Sequence, residues 1–153
     1  MRCRRRTIRR RNVMRHSGPS SVDRQLICDG TYFVVEEENH IVACGGWSKR
    51  KSLFGGDHSR LIEDALLDPA HDPARIRAFF VHPDFARRGL GHGILLACEQ
   101  AILAAGFHHA ELVATLAGEP LYAKFGYAAV ERYDLTLANG LPLPVVRMTK
   151  RWS

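Results

Sequence analysis

Two hydrophobic periods alternate along this chain. Residues 31–37 and 41–48 are rich in Val, Ile, Tyr and Phe, and the polar run Glu38-Asn39-His40 separates them, which predicts a β-hairpin. Gly45-Gly46 inside the second run predicts a bulge or a close approach of another element. Ile76, Ala78, Phe79, Phe80 and Val81 form an apolar run around Arg77, and Pro83, unable to donate to a ladder, stops it. The period then changes to that of a helix. Leu90, Ile94, Cys98 and Ile102 recur every four residues, Ala97, Ala101 and Ala105 widen the stripe, and Gly106 suits a left-handed terminus. Residues 109–115 predict another strand, and Pro120 suits the first turn of a short helix carrying Tyr122. Residues 129–137 and 143–150 predict a final hairpin turning in type I′ geometry at Asn139-Gly140, with Pro142 and Pro144 making its second arm irregular at the start. Upstream, Ser20 or Ser21 caps a predicted short helix over residues 22–27. The connection over residues 49–74 is too long for an ordinary loop, and connections of that length are usually functional or mobile. It carries Gly55-Gly56-Asp57, a predicted short helix over residues 60–67, Pro69 and Pro73.

Residues 75–106 therefore prescribe a strand, a glycine-punctuated turn and a helix in succession. The first amides of such a helix have no intrahelical acceptor and carry the positive end of its dipole, so a phosphate or pyrophosphate is the expected guest. The glycines stand as Gly89-x-Gly91-x-Gly93, which is not the dinucleotide spacing GxGxxG. A P-loop requires Lys-Ser or Lys-Thr after its last glycine, and Ile94-Leu95 stands there. Both nucleotide readings fail.

Val81-His82-Pro83, followed by Ala86-Arg87-Arg88-Gly89-Leu90-Gly91, resembles the central motif of the GCN5-related N-acetyltransferase (GNAT) superfamily, a strand ending in Val-x-Pro and then Gln/Arg-x-x-Gly-x-Gly/Ala. Ala86 departs from the motif's first position, which removes a side chain but no main-chain donor. Leu121-Tyr122-Ala123-Lys124-Phe125-Gly126-Tyr127 resembles the family's short helix with its tyrosine and terminal glycine-aromatic pair. The resemblance spans about residues 20–150. It implies an α/β (α+β) fold with a mixed central sheet flanked by helices, in which the family's first strand and helix, not recognisable here, are missing or replaced.

The same resemblance implies acetyl-CoA as co-substrate and the primary amine of a small molecule or peptide as acceptor, attacking the thioester directly. Pyrophosphate would rest on the turn formed by Arg87, Arg88, Gly89, Leu90, Gly91 and His92. Pantetheine would run beside Phe79, Phe80 and Val81, where a main-chain N–H polarises the carbonyl. Tyr122 matches the family's general acid. Several members carry a glutamate base on the central strand, but Arg75 and Arg77 stand on this one. Glu36, Glu37, Glu111 and Asp57 are the remaining carboxylates considered, and the base stays unassigned.

Composition bounds the rest. A chain of 153 residues matches one domain, here expected as an arginine-rich, disordered or loosely held segment over residues 1–16 and a single domain over residues 17–153. Eight arginines and no acidic residue precede Asp23, whereas from Asp23 onward 14 basic face 16 acidic residues, so the net charge of +6 belongs to the first segment. That segment lacks interleaved aromatics, so nucleic acid is expected as a partner only through its arginines. The four cysteines are scattered without a CxxC pair, and the eight histidines show no ligand spacing. A reducing, cytoplasmic environment and no metal are expected. No apolar run of about 18 residues exists to span a membrane. An uncovered sheet edge would invite a homodimer. Two other functions stay open: an acetyl-CoA-binding module without turnover, and an RNA- or ribosome-associated protein using the arginine segment.

Overall fold

The computed structural model describes residues 7–10, 24–51 and 65–153. Among these, strands β1 (Thr7–Arg10), β2 (Tyr32–Glu37), β3 (His40–Ser48), β4 (Ala74–Val81), β5 (His109–Thr115), β6 (Ala128–Thr136) and β7 (Pro142–Arg151) form one sheet, ordered β1-β2-β3-β4-β5-β7-β6. Every neighbouring pair is antiparallel except β4 and β5. Parallel neighbours need a crossover, and helix α2 (Leu90–Ala104) supplies it. Helices α1 (Arg24–Cys28) and α3 (Glu119–Lys124) are short.

Strand β2 shows why the sheet has two covered faces. Its successive side chains alternate between faces: Phe33 and Val35 join the main core under α2, while Tyr32 and Val34 pack with Leu26 and Ile27 of α1. The main core collects Leu90, Ile94, Cys98 and Ile102, the helical stripe read from the sequence, against Ile76, Ala110, Leu112, Val146 and Met148. Truncating a fully buried member such as Ile102 to alanine costs about 2–5 kcal/mol on the large-to-small scale. Helix α1 is tied to the end of β3 by a two-point ion pair, Arg50 Nε and Nη2 to Asp29 at 2.9 and 3.0 Å. Burial works to raise the Asp29 carboxyl, but Arg50 and Gln25 outweigh it and hold it below the usual range.

Helix ends follow the glycines. At the end of α2, Gly106 has φ 90°, and the Phe107 and Gly106 amides donate back to the Ile102 and Leu103 carbonyls. This is the Schellman arrangement.

Several expectations need correction. Thr7–Arg10, within the segment expected to be disordered or loosely held, is a strand paired with β2 from Thr7↔Glu36 to Arg10↔Phe33, while residues 1–6 and 11–16 lie outside the described residues. Arginines hid its pattern, and the open edge of β2 supplies its ladder. The Asn139-Gly140 turn is not type I′, because only Gly140 has positive φ. The Gly140 amide bonds the Leu137 carbonyl, and the Asn139 side chain accepts from the Leu141 amide, closing a longer loop. Residues 52–64, with Gly55-Gly56-Asp57 and most of the helix expected over residues 60–67, lie outside the described residues, as do the caps at Ser20 and Ser21. Leu66 forms a bridge with Arg50, and the Leu67 amide bonds the Lys49 carbonyl, so that end of the connection is extended.

Candidate active site

The site starts where a ladder stops. Strands β4 and β5 are in register at Ala74↔Ala110 and Arg75↔Glu111 and then part, while β5 stays paired with β7 from His109 to Thr115. Beyond Arg75, the edge of β4 that faces β5 has no strand partner. The two strands thus part inside the sheet rather than at its rim.

On the other side of β4, the register with β3 passes from Cys44↔Phe80 to Gly46↔Arg77, so β4 holds one extra residue. Ala78 is that bulge, with φ 62° in the left-handed region rarely used by non-glycine residues. Gly45 makes room for it. A Cβ there would meet the Phe79 ring at 2.7 Å and Ile94 Cγ2 at 2.8 Å, so only glycine lets Phe79 lie beneath α2. Ala78 consequently packs on the α1 side, Phe79 packs against the main core, and Phe80 is 56% exposed.

Past Val81, a 3₁₀ turn (Pro83–Phe85) leads into the helix. Arg87 (φ 61°) and Gly89 (φ 76°) both adopt left-handed conformations. The first intrahelical bond of α2 runs from the Gly93 amide to the Gly89 carbonyl at 3.0 Å. The amides of Gly89, Leu90, Gly91 and His92 therefore have no acceptor within the helix, and Gly89 offers no capping side chain. A Cβ built at Gly89 meets nothing within 4 Å, so the approach to these amides is open. Arg87 and Arg88 are exposed beside them, Arg88 lying 5.1 Å from the Phe85 ring centroid. His92 stacks on Phe125 at 4.0 Å with planes 10° apart. Leu90 instead points into the core, so only its main chain faces the turn. Gly91 is packed, its Cβ position 3.4 Å from Leu121 and 3.7 Å from Val81.

Helix α3 brings a phenol to the same place. Its end is a second Schellman arrangement: Gly126 has φ 93°, and the Tyr127 and Gly126 amides return to the Tyr122 and Ala123 carbonyls. Arg132 grips Glu119 at 2.9 and 2.6 Å and holds the start of α3 on β6. The Tyr122 ring meets Phe79 edge-on at 6.1 Å and Tyr127 at 6.2 Å. Its hydroxyl makes no hydrogen bond among the described residues. Burial, with a smaller contribution from Cys98, pushes the phenol up to about 12, so it keeps its proton at neutral pH. Burial likewise raises the Cys98 thiol, which leaves it unreactive.

The model of the acetyltransferase (GNAT) family matches residues 6–127. The chain belongs to this family. No curated protein sequence matches it. Among solved structures, a GCN5-related N-acetyltransferase from Rhodopseudomonas palustris is 22% identical with a TM-score of 0.60, over 84% of this chain. The chain spans 66% of that protein's length. Ard1 from Thermoplasma volcanium is 16% identical with a TM-score of 0.59, over 81% of this chain and 72% of its own. The yncA protein from Salmonella typhimurium, solved with its cofactor acetyl-CoA, is 17% identical with a TM-score of 0.57, over 78% of this chain and 63% of its own. At these identities the likeness establishes the fold, a mixed sheet of GNAT type. The family match includes β1.

Within this GNAT fold, the residues singled out from the sequence fall around one opening. Phe79, Phe80 and Val81 lie on the parted strand, Arg87 to His92 at the turn, and Tyr122 against Phe79. The carboxylates considered as bases do not gather there. Glu111 is buried at 7% exposure; Arg75 Nη1 donates to its Oε1, and Arg147 Nη1 to its Oε2 at 3.4 Å. Glu36 and Glu37 are on β2, two strands from the opening, and Asp57 is outside the described residues. Sequence reasoning missed the bulge at Ala78, although Gly45 was its signal. It also missed Glu99, whose partners are Tyr127 and Lys150, 28 and 51 positions away. Among the described residues no group of three His, Cys, Asp or Glu side chains is arranged to hold a metal.

Proposed function

We propose that this chain is an acetyl-CoA-dependent N-acetyltransferase acting on the primary amine of a small molecule or peptide, with Tyr122 as general acid. The observation that carries the reading is the convergence, at one opening in the sheet, of the stretch of β4 that has parted from β5, four amides without a helical acceptor at the start of α2, and a protonated phenol. The amides of Gly89 to His92, with Arg87 and Arg88 at the rim, suit the diphosphate of the co-substrate. The open edge at Phe79 to Val81 suits an extended amide-bearing arm, and a main-chain N–H there would stabilise charge developing on the thioester oxygen. The acceptor nitrogen forms the new C–N bond as the C–S bond breaks. The departing sulfur takes the Tyr122 proton, and the proton lost from nitrogen passes to water.

Glu111 has both oxygens engaged by arginines and is not assigned as the base. That engagement also favours a second reading, an acetyl-CoA-binding module without turnover. No helix among the described residues is long and apolar enough to cross a membrane, and a cytoplasmic reaction is part of the proposal. Calorimetry with acetyl-CoA, followed in the same samples by CoA release across a panel of primary amines, tests both readings. Saturable binding with turnover supports the enzyme, binding without turnover on the whole panel supports the module, and no binding removes both.

A further inference from the structure

A buried ionic cluster lies behind Tyr122, outside the opening. Glu99, on the inward face of α2, is 8% exposed. Its Oε1 accepts from the Tyr127 hydroxyl at 3.0 Å, and Lys150 Nζ of β7 donates to Oε1 and Oε2 at 3.0 and 3.2 Å. Lys150 also lies over the rings of Tyr127 and Trp152, 5.5 and 5.4 Å from their centroids. Gly126 runs beneath the Lys150 stem, its Cβ position 3.5 Å from Cε.

Such a cluster is a poor device for stability alone, since burying a carboxylate and an ammonium costs desolvation that apolar packing avoids. What it fixes is orientation. A phenylalanine would fill the volume of Tyr127, but only the hydroxyl ties that ring to α2 and, through Glu99, to β7. Burial first, and then Glu99, hold the Tyr127 phenol well above its usual range, so it remains a donor in this bond. The ring so held is the one that meets Tyr122 edge-on, while the Tyr127 amide holds the Tyr122 carbonyl at 3.1 Å. The Tyr122 hydroxyl makes no hydrogen bond among the described residues, so the rings of Phe79 and Tyr127 set where it points.

We infer that Glu99, acting through the Tyr127 hydroxyl, is a positioning residue for the Tyr122 acid. The role rests on the acetyltransferase reading above. Glu99 touches no reacting atom in it; the residue works by holding the ring that holds the acid.

The test is a double-mutant cycle between Tyr127→Phe and Tyr122→Phe, read as kcat for CoA release with acetyl-CoA and the best amine of the panel. Tyr127→Phe should lower kcat about tenfold with acetyl-CoA affinity, measured by calorimetry, changed less than about twofold. In the Tyr122→Phe background the same substitution should cause no further loss, because its effect passes through the missing hydroxyl. Glu99→Leu, which removes the acceptor of the Tyr127 hydroxyl, should reproduce the pattern and serves as the second route if Tyr127→Phe fails to fold by circular dichroism. A purely structural cluster would instead lower the melting temperature and leave kcat alone. Unchanged kcat in both single variants, or losses that multiply in the double variant, would overturn the inference while leaving the acetyltransferase reading intact. An unaltered chain that turns over none of the amines would remove that reading, and this one with it.

Discussion

Strands β4 and β5 are parallel neighbours, yet they are built in opposite ways. β5 is paired with β7 at every residue from His109 to Thr115 and alternates Ala110, Leu112 and Ala114 into the core. β4 holds an extra residue in a left-handed conformation, faces a glycine on one side, and loses its β5 partner after Arg75. The contrast teaches how an opening can be made inside a sheet without melting it. One strand keeps an unbroken register, and its neighbour parts from it at a fixed point. The fixed point is polar: on the α1 side, Arg75 and Arg147 close on Glu111, and Arg147 reaches Glu131 at 3.3 Å. The α2 side of the same junction is apolar, from Ile76 and Ala110 to Leu112.

The largest expected effect is at that closed end. Glu111→Ala takes the carboxylate from the part-buried Arg75 and leaves Arg147 with Glu131 alone, and should destabilise the fold by about 3 kcal/mol, seen as a lower urea midpoint. Glu119→Ala breaks an exposed two-point pair with Arg132 and should shift the midpoint far less. Equal shifts would mean that the arginine-glutamate cluster does not hold the junction. Next comes the chemistry: Tyr122→Phe should reduce kcat about 100-fold, with acetyl-CoA affinity unchanged by calorimetry. A fully active variant would transfer the acid role elsewhere.

Gly89→Val addresses the turn rather than the strand. Valine at φ 76° is strained by roughly 1–2 kcal/mol, and relief of that strain moves the free amides. Acetyl-CoA affinity should fall about tenfold while kcat at saturation stays near the parent value, the reverse of the tyrosine variant. The smallest effect is in the pH profile. With its phenol raised to about 12, Tyr122 keeps its proton across the ordinary working range. The rate should therefore climb as the acceptor amine deprotonates and show no alkaline decline below about pH 10. A decline there that disappears in Tyr122→Phe would place the phenol much lower than its burial requires.

Much of the molecule was legible from local pattern. The change from an apolar run to a four-residue repeat placed β4, the turn and α2, and Gly106 and Gly126 both lie at positive φ at helix ends. Gly45-Gly46 announced a close approach, which is the Phe79 ring for Gly45. Other features depend on partners distant in sequence. β1 is a strand because β2 offers it an edge, and its own arginines give no period. The bulge at Ala78 exists only as a mismatch of register between β3 and β4. Glu99 reads as an ordinary helical polar residue until Tyr127 and Lys150 converge on it. The turn at Asn139-Gly140 misled in the other direction. The dipeptide favours type I′, but Asn139 is used for its side chain, which caps the Leu141 amide.

The most direct test of the opening as the donor site is a crystal structure of the intact chain with acetyl-CoA. The thioester arm should lie between β4 and β5 beside Phe79 to Val81, with the diphosphate on the amides of Gly89 to His92 and the sulfur near the Tyr122 hydroxyl. Acetyl-CoA bound anywhere else on the chain, with the β4–β5 opening empty, would contradict the account.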